Sequence, residues 1–217
     1  MSESQQNTKA NPMRTLAIIP FGIALNLAIG TMVSTLKIPL YLDAIATIAI
    51  TLLAGWRAGV AVGVGSFLLG GVLVNPVLPW FSCTQAVIAI FTSLVASKGW
   101  LRLHAGAGDT LPSWGRYARF ALVGIALGVV AGAVSAPIIV WLFSGITGSG
   151  PSLVVAVLLK SGETLFKAVL YSGFASEPLD KGLQLLFGVL LVSVLPRTLK
   201  QGFGGEYLER NGLLQTP

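Results

Sequence analysis

Phe120-Ala-Leu-Val-Gly-Ile-Ala-Leu-Gly-Val-Val-Ala-Gly-Ala-Val-Ser-Ala-Pro-Ile-Ile-Val-Trp-Leu-Phe143 carries no charged side chain from end to end. A helix needs about 20 apolar residues to cross the hydrocarbon core of a bilayer, and this run exceeds that length. Within it Gly124, Gly128, Gly132 and Ala136 recur every fourth position, so they share one helical face and let a neighbouring backbone approach closely. The stretch reads as a membrane-crossing helix packed tightly against another.

The rest of the chain agrees. Of its 217 residues 54% are hydrophobic and only 10% charged, with a mean hydropathy of +0.81; a soluble domain carries about 25% charged residues. The predicted fold is an all-α integral membrane protein, a six-helix transmembrane bundle with an extra amphipathic lid or re-entrant helix before the last span. The expected spans are residues 15–33, 41–54, 60–74, 83–97, 120–143 and 182–195, with the outer helix at 153–174. Together they make a single transmembrane domain over 14–200, preceded by a polar cytoplasmic segment, 1–13, and followed by a cytoplasmic tail, 201–217. The first apolar run is longer than a signal-peptide core and lacks a clear small-residue cleavage site, so it is expected to stay as a span.

The net charge of +6 does not point to nucleic acid, because the basic residues lie in short connections and not in a patch interleaved with aromatics. They read as topology signals. With the N-terminus inside and the 153–174 helix not crossing, the cytoplasmic side holds Lys9, Arg14, Arg57, Lys98, Arg102, Arg116, Arg119, Arg197, Lys200 and Arg210. The outer side then holds only Lys37, Lys160, Lys167 and Lys181. That bias is what the positive-inside rule requires, and a seventh span would reverse it for Arg197 and Lys200. Both termini are therefore expected in the cytoplasm of a cell membrane, of bacterial type.

Several polar groups interrupt the apolar pattern. Lys160, Glu163 and Lys167 stand at i, i+3 and i+7, one stripe on an otherwise apolar helix, either facing solvent or pointing into a solute cavity. All five tryptophans fall near span ends, where the indole suits the headgroup region. Trp80 and Trp141 lie on the outer side with Asn75 and Gln85, where they could also stack on and hydrogen-bond a planar solute. Glu177-Pro178-Leu-Asp180-Lys181 reads as the start of the last span, since proline suits the first turn and carboxylates favour the positive end of the helix dipole. Asp43 could start the second helix or pair with Lys37. The single cysteine, Cys83, excludes an internal disulfide and reads as packing. No phosphate-binding loop, zinc-protease or serine-hydrolase motif is present, so neither an ATPase nor another enzyme is expected, and no cofactor or metal.

One ordered pattern is more specific: Lys37-Ile-Pro-Leu-Tyr-Leu-Asp43, a short apolar run, and Gly55-Trp-Arg-Ala-Gly59 opening a glycine-rich span. It resembles the substrate-binding S components of energy-coupling factor (ECF) vitamin importers. Pro178 to Gly182, leading to a span that closes with Leu195-Pro-Arg197, is similar to their sixth helix. The resemblance covers about Arg14 to Lys200. It implies a six-helix bundle that binds a vitamin-like solute near the outer face and docks on a membrane coupling subunit driven by two ATPase subunits. It also implies that Ala24 and Ala28 form the partner-binding alanine motif, although spacing alone favours packing within the chain. The outer loops, Lys37 to Asp43 and Ser144 to Phe174, would close over the solute. The chain departs from shorter members in that long charged segment. The expected solute contacts are Asn75, Trp80, Gln85, Trp141, Lys160, Glu163 and Lys167. The competing readings are a ligand-sensing or anchoring membrane module and a stand-alone transporter.

Overall fold

The computed structural model describes residues 12–103, 111–145, 147, 151–203 and 206–214. Among them every regular element is helical: α1 Pro12–Thr35, α2 Ile45–Ala54, α3 Trp56–Leu73, α4 Ser82–Ser97 preceded by a 3-10 turn at Leu78–Phe81, α5 Ser113–Phe143, α6 Pro151–Lys160, α7 Leu165–Val194, α8 Arg197–Gln201 and α9 Glu206–Arg210. Four segments, α1, α3, the 3-10 turn with α4, and α5, are long and apolar enough to cross a membrane. The protein is thus a helical, multi-pass membrane protein. His104 lies outside the described residues.

The centre of the bundle is α2. Every residue from Ile45 to Leu53 is buried, which suits a helix that is apolar on all sides. At 1.5 Å per residue its 10 residues reach about 15 Å, half of a bilayer core. The run from Tyr41 to Ala54 therefore does not form one long helix; residues 36–44 form an irregular loop above α2, and backbone of that kind is tolerated at depth where it meets protein or a cavity. Leu52, Ile88, Leu127 and Leu185, all fully buried, bring α2, α4, α5 and α7 into one core.

The small-residue face of α5 meets α7. A Cβ added at Gly124 would stand 2.8 Å from the Gly182 Cα, and one at Gly128 2.5 Å from the Pro178 Cα. The two backbones touch there, as the four-residue spacing requires. Gly59 and Gly63 of α3 serve the same purpose against Thr51, Thr47 and Gln85.

α7 differs from the sequence expectation. Neither a helix over 153–174 nor a helix start at Pro178 is found: α6 ends at Lys160, and α7 runs unbroken for 30 residues with Pro178 inside it. The break has a local cause. Gly162 takes a left-handed φ of +96°, its N–H donates to the Leu159 carbonyl, and the Glu163 N–H reaches back to that of Leu158, a glycine-terminated helix end. Lys160, Glu163 and Lys167 consequently do not share one helical stripe. They sit at the tip of the α6–α7 hairpin, with Lys160 and Lys167 exposed and Glu163 half-buried.

The opposite end of the bundle gathers basic side chains. Arg14 packs against Gly202, Arg102 donates to the Arg210 carbonyl, Arg210 to that of Ser97 and Arg116 to that of Leu111. Lys200 reaches the carbonyls of Ser193 and Leu213. Asn211 ties the C-terminal segment to α4 through the Leu101 N–H and the Ala96 carbonyl. Most arginines thus cluster at one end of the molecule.

A buried polar cavity above the short central helix

A helix leaves its first N–H groups without intrahelical partners, and α2 begins inside the protein, where water cannot supply them. Side chains from α1 and α7 do so there and in the loop before it, and α4 adds a contact to the loop. Asn26 of α1 accepts from the Ala46 N–H at 2.9 Å, and Gln184 of α7 accepts from the Ala44 N–H at 3.0 Å. Asp180 of α7 accepts from the N–H groups of Tyr41 and Leu42 at 2.8 and 3.0 Å. Gln85 of α4 donates to the Asp43 carbonyl at 3.3 Å. The loop that caps α2 is therefore held from α1, α4 and α7 at once.

Asn26 is the hub of this network. Its side-chain amide also donates to the hydroxyls of Thr47 at 2.9 Å and Ser66 at 3.3 Å, and Thr47 in turn donates to the Gln85 carbonyl oxygen at 3.0 Å. An orphaned buried donor or acceptor costs about 1–3 kcal/mol. Asn26→Leu, which strands the Ala46 N–H and removes both hydroxyl contacts, is expected to lower stability by about that amount, read as a lower unfolding midpoint in detergent. An unchanged midpoint would show that the network does not hold the loop.

Beside the loop lies a cavity of about 120 Å³, walled by α1, α3, α4, α5, α7, the 3-10 turn and the loop itself. Its apolar surface comes from residues such as Leu27, Phe67, Phe81 and Ile88, and its polar surface from Asn26, Asp43, Ser66, Thr84, Gln85, Glu177 and Lys181 among others. Phe81 stacks on Phe143 with ring centroids 6.0 Å apart, fixing the 3-10 turn against the end of α5. The Thr84 hydroxyl is buried and has no hydrogen-bond partner.

The charged part of the wall comes from α7 and the loop. Lys181 Nζ is 2.5 Å from Asp180 Oδ2 and 3.6 Å from Glu177 Oε2, and it lies 5.1 Å from the centre of the Tyr41 ring. Gln184 donates to Asp180 Oδ2 at 2.7 Å. Glu177, Asp180, Lys181 and Gln184 are all buried. Charges so deep persist only when paired and hydrogen-bonded. The segment that reads as a helix start is, in the folded protein, a polar belt in mid-helix. Asp43 lines the same cavity as Lys181, while Lys37 is exposed.

Of the residues expected to contact a solute, Asn75 and Gln85 line the cavity. Asn75 accepts from the Val77 N–H at 3.0 Å and donates to the Thr147 carbonyl at 3.4 Å, so it shapes a turn at the rim. Trp80 and Trp141 are outside the cavity, 58% and 81% exposed, which suits headgroup anchors. Lys160, Glu163 and Lys167 are also outside it; Lys167 precedes Glu177 by ten residues, roughly 15 Å of helix. Ala24 and Ala28 of α1 are exposed, so among the described residues no helix covers them. Cys83 is exposed as well, not packed.

Asn26, Asp43, Glu177, Asp180, Lys181 and Gln184 were missing from the sequence-derived site. The available signal was a lone Asn in the charge-free run 15–33 of α1, since a polar side chain at membrane depth requires partners. Among the described residues no group of three or more His, Cys, Asp or Glu side chains could hold a metal ion. No known family model matches the chain, and neither a curated protein nor a solved structure is significantly similar to it.

Proposed function

We propose that the chain is the substrate-binding subunit of an ATP-driven importer of the ECF type, taking up a small vitamin-like solute at the outer face and releasing it into the cytoplasm. The observation that carries this reading is the cavity: a partly open space with buried polar groups, at the end of the bundle away from the arginines. Under the positive-inside rule the arginine end is cytoplasmic, so the cavity belongs to the outer half. The bundle then has six crossings, α1, α2 with its loop, α3, α4, α5 and α7, while α6 stays at the outer face. Both termini are inside. The loop at 36–44 acts as a lid over the solute.

The chain has no ATPase motif, and the motor is supplied by a membrane coupling subunit with two ATPase subunits. The exposed alanines of α1, Ala24 and Ala28, give a smooth face for the coupling subunit. The protein itself catalyses nothing; binding and reorientation are its whole chemistry.

The test is uptake into vesicles holding this chain with and without the coupling complex. Solute accumulation is expected only with all partners and ATP present, and accumulation unaffected by removing the ATPases would sink the proposal. Orientation is read separately. In a Cys83→Ser background, a cysteine at position 163 should react with an impermeant thiol reagent from outside and one at position 102 from inside; the reverse pattern overturns the topology.

A further inference from the structure

Resting on the solute-binding reading, we propose that the cavity selects a small monocation of about one ring in size, a protonated amine with an apolar body.

The size follows from the volume. A dry cavity of about 150 Å³ holds one benzene, and this one measures about 120 Å³. The charge follows from the balance of groups. Three carboxyl groups, Asp43, Glu177 and Asp180, share a single basic neighbour, Lys181. Asp180 is satisfied by four donors. Glu177 is not: its Oε2 is buried, accepts no hydrogen bond, and has Lys181 only at 3.6 Å. Both Glu177 and Asp43 line the cavity, as does the unpartnered hydroxyl of Thr84, which is 8% exposed.

A cation with N–H donors would supply what these oxygens lack, and the apolar rings of Phe67 and Phe81 would cover its carbon skeleton. An anion would add a further negative charge in a medium where charges are poorly screened. A neutral solute without N–H donors would leave the Glu177 oxygen unpartnered.

The test uses three size-matched probes on the full chain in lipid nanodiscs: piperidinium, its uncharged analogue tetrahydropyran, and cyclobutanecarboxylate, followed by saturation-transfer NMR against empty nanodiscs. Piperidinium is expected to bind roughly 10-fold or more tightly than either other probe, the value of a hydrogen bond to a charged group. Glu177→Gln should erase that preference. Asp43→Asn, a second variant on the loop, should reduce it if Glu177→Gln does not fold. Equal or tighter binding of the ether or the carboxylate, or a preference that survives in both variants, overturns the charge assignment and leaves the importer reading standing. Binding of none of the three overturns the cavity as a cation site. The importer reading falls only on loss of ATP dependence in the uptake assay.

Discussion

Asp180→Ala is expected to cost about 3–5 kcal/mol of stability, the range found when one partner of a buried pair is removed. The size follows from how many groups depend on this carboxylate. Oδ1 accepts from two loop N–H groups at 2.8 and 3.0 Å, and Oδ2 from Gln184 Nε2 at 2.7 Å and Lys181 Nζ. All four donors lose their acceptor together, and Lys181 is left with Glu177 at 3.6 Å. The loop responds as well. Leu42 is held at φ +49°, a left-handed conformation that costs a branched residue about 1–3 kcal/mol. With both Asp180 hydrogen bonds gone, that strain favours opening. Asp180→Asn should lose less, because its oxygen can still accept from Tyr41 and Leu42. Unfolding midpoints in detergent and hydrogen exchange at those two amides measure both effects. An alanine variant with native midpoint and native exchange would show that Asp180 does not hold the loop.

The second large effect is expected at Gly128. The Cβ of any other residue would stand 2.5 Å from the Pro178 Cα and 2.6 Å from the Glu177 carbonyl oxygen. Contact between such atoms is comfortable at about 3.5–4 Å, and neither neighbour is a side chain that can swing aside. α5 and α7 must separate by about an ångström, or the protein must fold otherwise. Gly128→Leu is therefore expected to cost more than the 1–3 kcal/mol typical of overpacking, and to displace Glu177 from the cavity wall. Gly173 on α7 is the control. Nothing lies within 4 Å of its added Cβ, and Gly173→Ala should stabilise by about 0.5–1 kcal/mol through helix propensity. Thermal unfolding of the two variants side by side decides. A Gly128→Leu protein as stable as Gly173→Ala would refute the close approach.

How much of this was legible in the sequence depends on whether the signal was local. The charge-free run at Phe120 to Phe143 and its glycine spacing are local, and they gave both the helix and its contact face. The end of α6 was legible too, in the Ser161-Gly162 pair that follows Lys160, had helix-stop chemistry been weighed above apolar length. α2 was not. An apolar run reads the same whether lipid or protein surrounds it, and only its neighbours decide that it stops after 10 residues. The polar belt on α7 was also hidden. Proline followed by carboxylates is the usual signature of a helix start, and nothing nearby in sequence reveals that a loop about 140 residues earlier supplies the partners. For the same reason the sequence cannot separate a stacking role for Trp80 and Trp141 from anchoring, whereas their exposure suits a place among headgroups.

That distance along the chain bears on how the molecule is assembled. The loop over α2 is made early and α7 late, yet Tyr41, Leu42 and Ala44 are fastened to Asp180 and Gln184. Contacts of such long range form only after the intervening chain has closed. While a ribosome is still extending the protein, the first helices can pack on one another, but the lid lacks the acceptors that α7 brings to Tyr41, Leu42 and Ala44. Newly made chains therefore hold an open upper half until α7 arrives, and ribosome-bound intermediates truncated before Leu165 should expose Tyr41 to protease where the finished protein shields it.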